Sequence, residues 1–432
     1  MSYVLLAPDK FKGSLTAADV ARHLAAGLRR ACPRVEVRSF PVADGGEGTL
    51  DAAISAGFHR VPVLATGPTG VRVQAAFAQR DGSARRSRPL DRGLRSAPPA
   101  GGRDGCARRS RPLDRGLRSA PPAGARVAVV ELADASGQRR LPDGVPRPLD
   151  ATSYGTGEVV RAALDRGCRE VVLGLGGSAS TDGGAGLASA LGVRLLDDRG
   201  GELPPGGAAL RRLHRIDLDG LHPAVRQTRF VVAGDVDNPL LGPAGAAAVY
   251  GPQKGATGED IAVLEDGLTR WAGVVEAELG VRVAGQPGAG AAGGVGFAAL
   301  AFLGAEFRPG IEFLLDLLGF DELLARAGLV VTGEGSLDAQ SLHGKAPVGV
   351  AMAAGKAGVP TVAVAGQVSI GPDDLRAAGI RAAYPLTEVE PSLAECISRA
   401  GSLIEEIAGV VAAEWLEPSG LPRMEAVPRK RP

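Results

Sequence analysis

The chain has 432 residues, a formal net charge of +1, a hydrophobic fraction of 45% and an aromatic fraction of only 4%. That length calls for two or more domains, and a core of Ala, Val and Leu favours layered α/β architecture over an aromatic-rich β-sandwich. Four cysteines (Cys32, Cys106, Cys168, Cys396) without CxxC spacing exclude a disulfide scaffold and a zinc site. With no signal-peptide pattern in MSYVLLAPDK and no apolar window of about 18 residues, a cytoplasmic protein with no membrane partner is expected.

Tyr3–Ala7 reads as an apolar strand ending in Pro8-Asp9-Lys10, and Ser14 or Thr16 caps a helix that runs to about Arg30. Val20, Leu24 and Leu28 fall on one face of that helix. A second strand, Val35–Val42, runs into ADGGEGTL (Ala43–Leu50), where another helix starts. VRVQAAFAQ and ARVAVVELA then read as paired strands interrupted by an Arg- and Pro-rich segment. Within it, ARRSRPLDRGLRSAPPAG stands at Ala84–Gly101 and again, identically, at Ala107–Gly124. Residues 84–124 hold eleven Arg against three acids, a charge of +8 that leaves −7 elsewhere. Perfect identity is unlike a structural repeat, where only the buried pattern recurs. The segment reads as a duplicated, disordered surface loop. A nucleic-acid arm is the weaker reading, because no aromatic residue is present for base stacking.

Val171–Leu191 reads VVLGLGGSASTDGGAGLASAL, that is, strand, glycine-rich turn and helix. This layout points backbone N–H groups at an anion. It matches neither GxxxxGK[ST] nor GxGxxG, and a plain tight turn is an equal reading. Further strands are expected at Phe230–Ala233, Gly328–Thr332, Pro360–Ala365 and Arg381–Pro385, with helices at Pro347–Ala357 and Pro372–Ala378. Five strands drawn from both chain ends alternate with helices. The expectation is therefore a Rossmann-like doubly wound parallel sheet domain (1–62 and 291–416) with a second α/β domain (63–290) inserted into it. Residues 417–432 read as a flexible tail.

Ligands bind beyond the carboxyl ends of parallel strands, and the polar residues fall there. Asp9, Lys10 and Lys12 follow the first strand, Asp44 and Glu47 the second, and Glu334 and Asp338 the strand at Gly328–Thr332. Ser178–Asp182, Asp235 and Asn238 follow two strands of the inserted region. Only six of the 49 basic residues are Lys, and four of these (Lys10, Lys12, Lys254, Lys345) lie in DKFKGS, GPQKGAT and HGKAP. Lysine offers a compact, flexible charge for a phosphate oxygen where Arg imposes a rigid fork. Carboxylates, lysines and glycine loops together supply what phosphoryl transfer needs. Each also has a plain structural reading: Asp9 and Asp182 as helix caps, Asp235–Pro239 as an Asx-turn, Lys254 as a loop charge. Five histidines without paired spacing give little support to a His-based metal site or triad.

The segments APDKFKGSL, ADGGEGT, TSYGTGE, GLGGSASTDGGAG, DVDNPL, GPQKGAT, GAGAAGG, RPGIE and TGEGSLDAQSLHGKAP occur in this order. Together they resemble the bacterial glycerate kinase family over about Val4 to Val368, apart from the Arg-rich segment. The resemblance implies a two-domain kinase without a Walker A loop, whose active site lies between the domains. It implies MgATP as donor, D-glycerate as acceptor, and usually 2-phosphoglycerate as product, 3-phosphoglycerate being the alternative. The family opening reads APDSFKGS, so Lys10 stands in a Ser place while Lys12 matches.

The arrangement that follows puts Asp9, Lys12, Asp44, Asp182 and Lys254 at the chemistry. Asp9 or Asp44 would be the base, Asp182 or Asp235 the Mg²⁺ holder, and Lys12 and Lys254 the charges on phosphate or carboxylate. Ser14, Gly45, Glu47, Thr156, Gly177, Ser178, Thr181, Asn238, Gln253, Glu334, Asp338 and Lys345 would contact substrate or nucleotide. The rivals are a non-catalytic metabolite-binding regulator and an NAD(P)-dependent oxidoreductase; the latter is weakened because PDKFKGS lacks the glycine fingerprint. A monomer or a homodimer is expected.

Overall fold

The computed structural model describes residues 2–82 and 124–423. The Arg-rich repeat up to Ala123, and the chain from Met424 on, lie outside the described residues. The chain starts with β1 (Tyr3–Pro8), the helix Ala17–Ala31 and β2 (Val37–Ser39). It continues with β3 (His59–Thr66), β4 (Arg72–Arg80), β5 (Arg126–Glu131) and β6 (Cys168–Gly174). A two-stranded ribbon, β7 (Arg194–Leu196) and β8 (Arg215–Asp217), precedes β9 (Arg229–Ala233) and β10 (Glu306–Arg308). The last strands are β11 (Ala327–Leu337), β12 (Thr361–Val368) and β13 (Ile380–Pro385).

Two sheets organise these strands. The first has the order β13-β12-β11-β1-β2 and is parallel throughout, the mixed origin from both chain ends that the sequence implies. Its strands are apolar on both faces because both faces are covered. Leu5 and Val330 enter one core with Leu314 and Val350; Val4, Leu6, Leu329 and Val331 enter another with Leu24, Leu28 and Ile404. The helix Ala17–Ala31 is capped by Thr16, whose side chain accepts from the Asp19 N–H, and buries Val20, Leu24 and Leu28 as the periodicity predicts. The second sheet has the order β10-β9-β6-β5-β4-β3, parallel from β10 to β5 with an antiparallel edge at β4 and β3. β4 pairs with β5 on either side of the Arg-rich repeat, so the repeat joins two strands of one hairpin. Among the described residues no helix is long and apolar enough to cross a membrane.

Three boundaries differ from the sequence reading. A cut at 62/63 would fall inside β3, which pairs only in the second sheet. At the other end, Ala291, Val295 and Ala299 pack with Leu173 and Val232, and β10 pairs with β9, so residues up to Arg308 stay with the second sheet. The glycine run at that expected boundary is a tight turn inside the second unit: Ala292, Gly293 and Gly294 all take left-handed backbone. The expected tail begins late as well, because Glu417–Arg423 folds back, with the Arg423 N–H donating to the Trp415 carbonyl. β11 also runs past Thr332 to Leu337, since Ser336 and Leu337 still pair with Gln367 and Val368 of β12. Glu334 is therefore held in a strand, not a loop.

Candidate active site

The carboxyl ends of both sheets meet at one cleft of about 750 Å³. The loops after β2 and β6 form the seam where the sheets touch. A Cβ on Gly176 would come within 2.5 Å of the Gly46 Cα, and one on Gly45 (φ +92°) within 2.1 Å of the Ala233 carbonyl. Only glycine allows backbone to approach backbone so closely. The glycines of ADGGEG and GLGGS thus serve contact between the two halves.

From the first sheet, Asp9, Lys10, Lys12 and Ser14 line the cleft after β1, and Asp44 and Glu47 after β2. Asp9 is 8% exposed, and burial pushes its carboxyl up to about 6. The Lys10 ammonium, 3.7 Å away, opposes that rise and Asp44 adds to it. Lys10 Nζ also donates to the Glu47 carbonyl at 2.8 Å, tying the β1 loop to the β2 loop. Glu334, on β11, is likewise 8% exposed and is pushed up to about 7 by burial. The hydroxyl of Ser341 donates to it at 2.5 Å and Lys345 lowers it, while Asp9 and Asp338 raise it. Lys345 lines the cleft, 3.6 Å from Asp338. Two carboxyls that titrate near neutrality thus stand among three lysines, a setting suited to proton transfer at physiological pH.

From the second sheet, the wall is Ala133, Gln138, Arg139, Gly176 and Gly177. Arg139 is a cation that the sequence reading missed. Its guanidinium bridges Glu47 at 2.8 Å, Glu131 at 3.1 Å and Asp134 at 3.2 Å, which joins the loops after β2 and β5. Glu131 is 2% exposed, accepts from the Gly48 and Leu50 N–H groups, and is raised by burial. The acids five and eight positions before Arg139 were the available sign, but no glycine motif drew attention to them.

Several expected site residues lie under the cleft wall instead of facing it. Asp182 is fully buried and saturated: Gly184 N–H donates to Oδ1, and Thr152 Oγ1, Ser153 N–H, Ser153 Oγ and Gly186 N–H donate to Oδ2. With its side chain inaccessible and five donors on it, Asp182 braces the loop from beneath and does not line the cleft as expected. Lys254, 3% exposed, donates to Ser178 Oγ at 2.8 Å and the Ser180 carbonyl at 2.6 Å. Burial pulls its amine down to about 7, against the pull of Asp182. It sits beneath the loop and does not line the cleft. Ser178 and Thr181 are buried with it. Thr156 donates to Ser136 Oγ at 2.9 Å and also stays inside.

Asn238 braces its own turn, donating to the Ala244 carbonyl and accepting from the Tyr250 hydroxyl. Gln253 is exposed, and its carbonyl accepts from Gln138 Nε2 at 3.3 Å. Asp338 forms an Asx-turn with the Gln340 and Ser341 N–H groups. Asp235 accepts from the Gly310 N–H at 3.1 Å; desolvation raises its carboxyl, and Asp44 and Glu312 raise it further. Among the described residues no group of three His, Cys, Asp or Glu side chains is placed to hold a metal ion alone. A hard cation that shares phosphate oxygens needs only one or two carboxylates. Asp44 lines the cleft, and Asp235, exposed and outside that lining, is close enough for the two charges to repel; they are the pair of acids available for that more modest demand.

Comparison with known proteins converges on one family. The family model described as Glycerate kinase family matches residues 4–87 and 108–416. A glycerate kinase of Halalkalibacterium halodurans is 41% identical over 95% of this chain and 98% of its own. The glycerate 2-kinase of Escherichia coli K12 is 39% identical over 85% of each chain. A crystal structure from Salmonella typhimurium LT2, assigned as a glycerate kinase 2, superposes with a TM-score of 0.72 at 38% identity. That superposition covers 95% of this chain and 97% of the other.

Proposed function

The chain belongs to the glycerate kinase family, and on that premise we propose that it moves the γ-phosphoryl group of MgATP to the 2-hydroxyl of D-glycerate, releasing ADP and 2-phosphoglycerate. The observation that carries this reading is the single cleft in which the buried Asp9 and Glu334 carboxyls stand beside Lys10, Lys12 and Lys345. Asp9 is the base. Its carboxylate takes the proton of the glycerate hydroxyl as the oxygen closes on the γ-phosphorus, and a base poised near neutrality combines availability with strength. Lys12 and Lys345 neutralise the phosphate oxygens as charge shifts from the attacking to the leaving side. Arg139, across the seam, is placed to receive the glycerate carboxylate by exchanging it for the Glu47 ion pair. Asp44 and Asp235 would hold the magnesium ion, which supplies positive charge to the phosphate oxygens. The 2-phospho product rests on the name of the Escherichia coli relative. A cytoplasmic location agrees with three buried free cysteines.

The test is ADP release. Purified protein with MgATP forms ADP at a turnover rate only when D-glycerate is present. ADP formation indifferent to D-glycerate, or none under any condition, would overturn the proposal.

A further inference from the structure

The cleft has an end that phosphoryl transfer leaves unexplained. Leu386, after β13, and Leu393, Cys396 and Ile397, on and beside the helix Leu393–Ser398, form an apolar wall in the same cavity as the charges. Leu393 and Ile397 are 50% and 48% exposed, and their i, i+4 spacing sets both on one face of that helix. Large apolar side chains turned into a cleft, with charges at its other end, mark the place of an amphiphilic ligand.

Strand order sets the least distance between the two ends. The helix Leu393–Ser398 and the turn at Leu386 pack against β12, two strands from β1, so the apolar wall lies at least about 10 Å from Asp9 across the carboxyl edge of the sheet. An extended nucleoside triphosphate bridges a span of that order between its base and its terminal phosphate. The floor between the ends is backbone: Gly366 of β12 lies against Gly335 of β11, and a Cβ on Gly366 would come within 2.4 Å of the Gly335 carbonyl. D-glycerate, with a carboxylate and two hydroxyls on three carbons, has nothing to offer such a wall.

We propose that Leu386, Leu393 and Ile397 are the nucleobase subsite, so that the nucleotide lies across β13, β12 and β11 with its phosphates toward Lys12 and Lys345. The proposal rests on the kinase reading and adds the direction of the donor. It also sends the acceptor to the opposite side of Asp9, against the loops that carry Gly177 and Arg139.

The experiment compares wild type with the double variant Leu393→Asp, Ile397→Asp. Both side chains are half exposed, so the substitutions leave the core in place, and unchanged thermal unfolding checks that. Equilibrium binding of ADP and of inorganic tripolyphosphate is measured for each protein. Loss of two apolar contacts predicts ADP binding weakened at least about tenfold, with tripolyphosphate binding and KM for D-glycerate unchanged. Equal loss for ADP and tripolyphosphate, or no loss for ADP, would overturn the subsite while leaving the kinase reading untouched. Selective loss of ADP binding in a protein without glycerate-dependent ADP release would sustain the subsite and sink the kinase reading.

Discussion

Asp9 and Asp182 are both acids after an apolar strand in a glycine-containing segment, and the structure sets them in opposite surroundings. Asp9 sits in the cleft, and burial raises its carboxyl to about 6. Because the base must be ionised, kcat/KM should fall with unit slope as pH drops below about 6. Asp9→Asn should lower kcat by about 10²–10⁴ and flatten that acid limb; an acid limb that survives in the variant would move the base elsewhere. Asp182 has no exposed surface and five donors aimed at it. Asp182→Ala leaves those donors unpaired and should cost about 2–4 kcal/mol of unfolding free energy. Its Mg²⁺ concentration for half-maximal rate should stay at the wild-type value. A large rise in that concentration at unchanged stability would restore the metal role. Sequence could not separate the two aspartates, since capping and catalysis call for the same residue after the same kind of strand.

At the scale of elements, the Arg-rich repeat interrupts a hairpin whose ends already meet. β4 and β5 stay paired from Phe77–Val130 to Arg80–Val127, and Arg126 Nε bonds Asp81 at 2.8 Å just beyond. The cleft is formed at the carboxyl ends of the parallel strands, and Arg126 is at the amino end of β5. Deleting one copy, residues 84–106, should therefore leave kcat/KM within about twofold and the unfolding midpoint within a few degrees, because long surface connections change closure entropy only slowly. Loss of folding or activity in that deletion, read by thermal melt and ADP release, would assign the repeat a structural task. The strand pair itself was legible from alternating Val and Ala on either side of the segment. β11 was not fully legible, because Gly333 and Gly335 suggest a loop while pairing to β12 carries the strand through them.

For the whole molecule, the parallel sheet built from both chain ends was readable because strands buried on both faces are continuous apolar runs. The division between the two sheets was less so. The expected boundary at 290/291 falls in a glycine run, yet those glycines turn inside the second unit. The half of the site on the first sheet was visible as Asp9, Lys12, Asp44, Glu334 and Lys345, whereas Arg139 depends on a meeting of the β2 and β5 loops that no local spacing announces. What the molecule achieves is one cleft closed by two sheets, with an acid–lysine edge on one side and a glycine-lined loop on the other. The most direct test of that account is the position of the transferred phosphate. Product made from MgATP and D-glycerate is given to enolase with no phosphoglycerate mutase present. Formation of phosphoenolpyruvate in step with ADP is the predicted result; ADP with phosphoenolpyruvate appearing only after mutase is added would contradict transfer to the 2-hydroxyl.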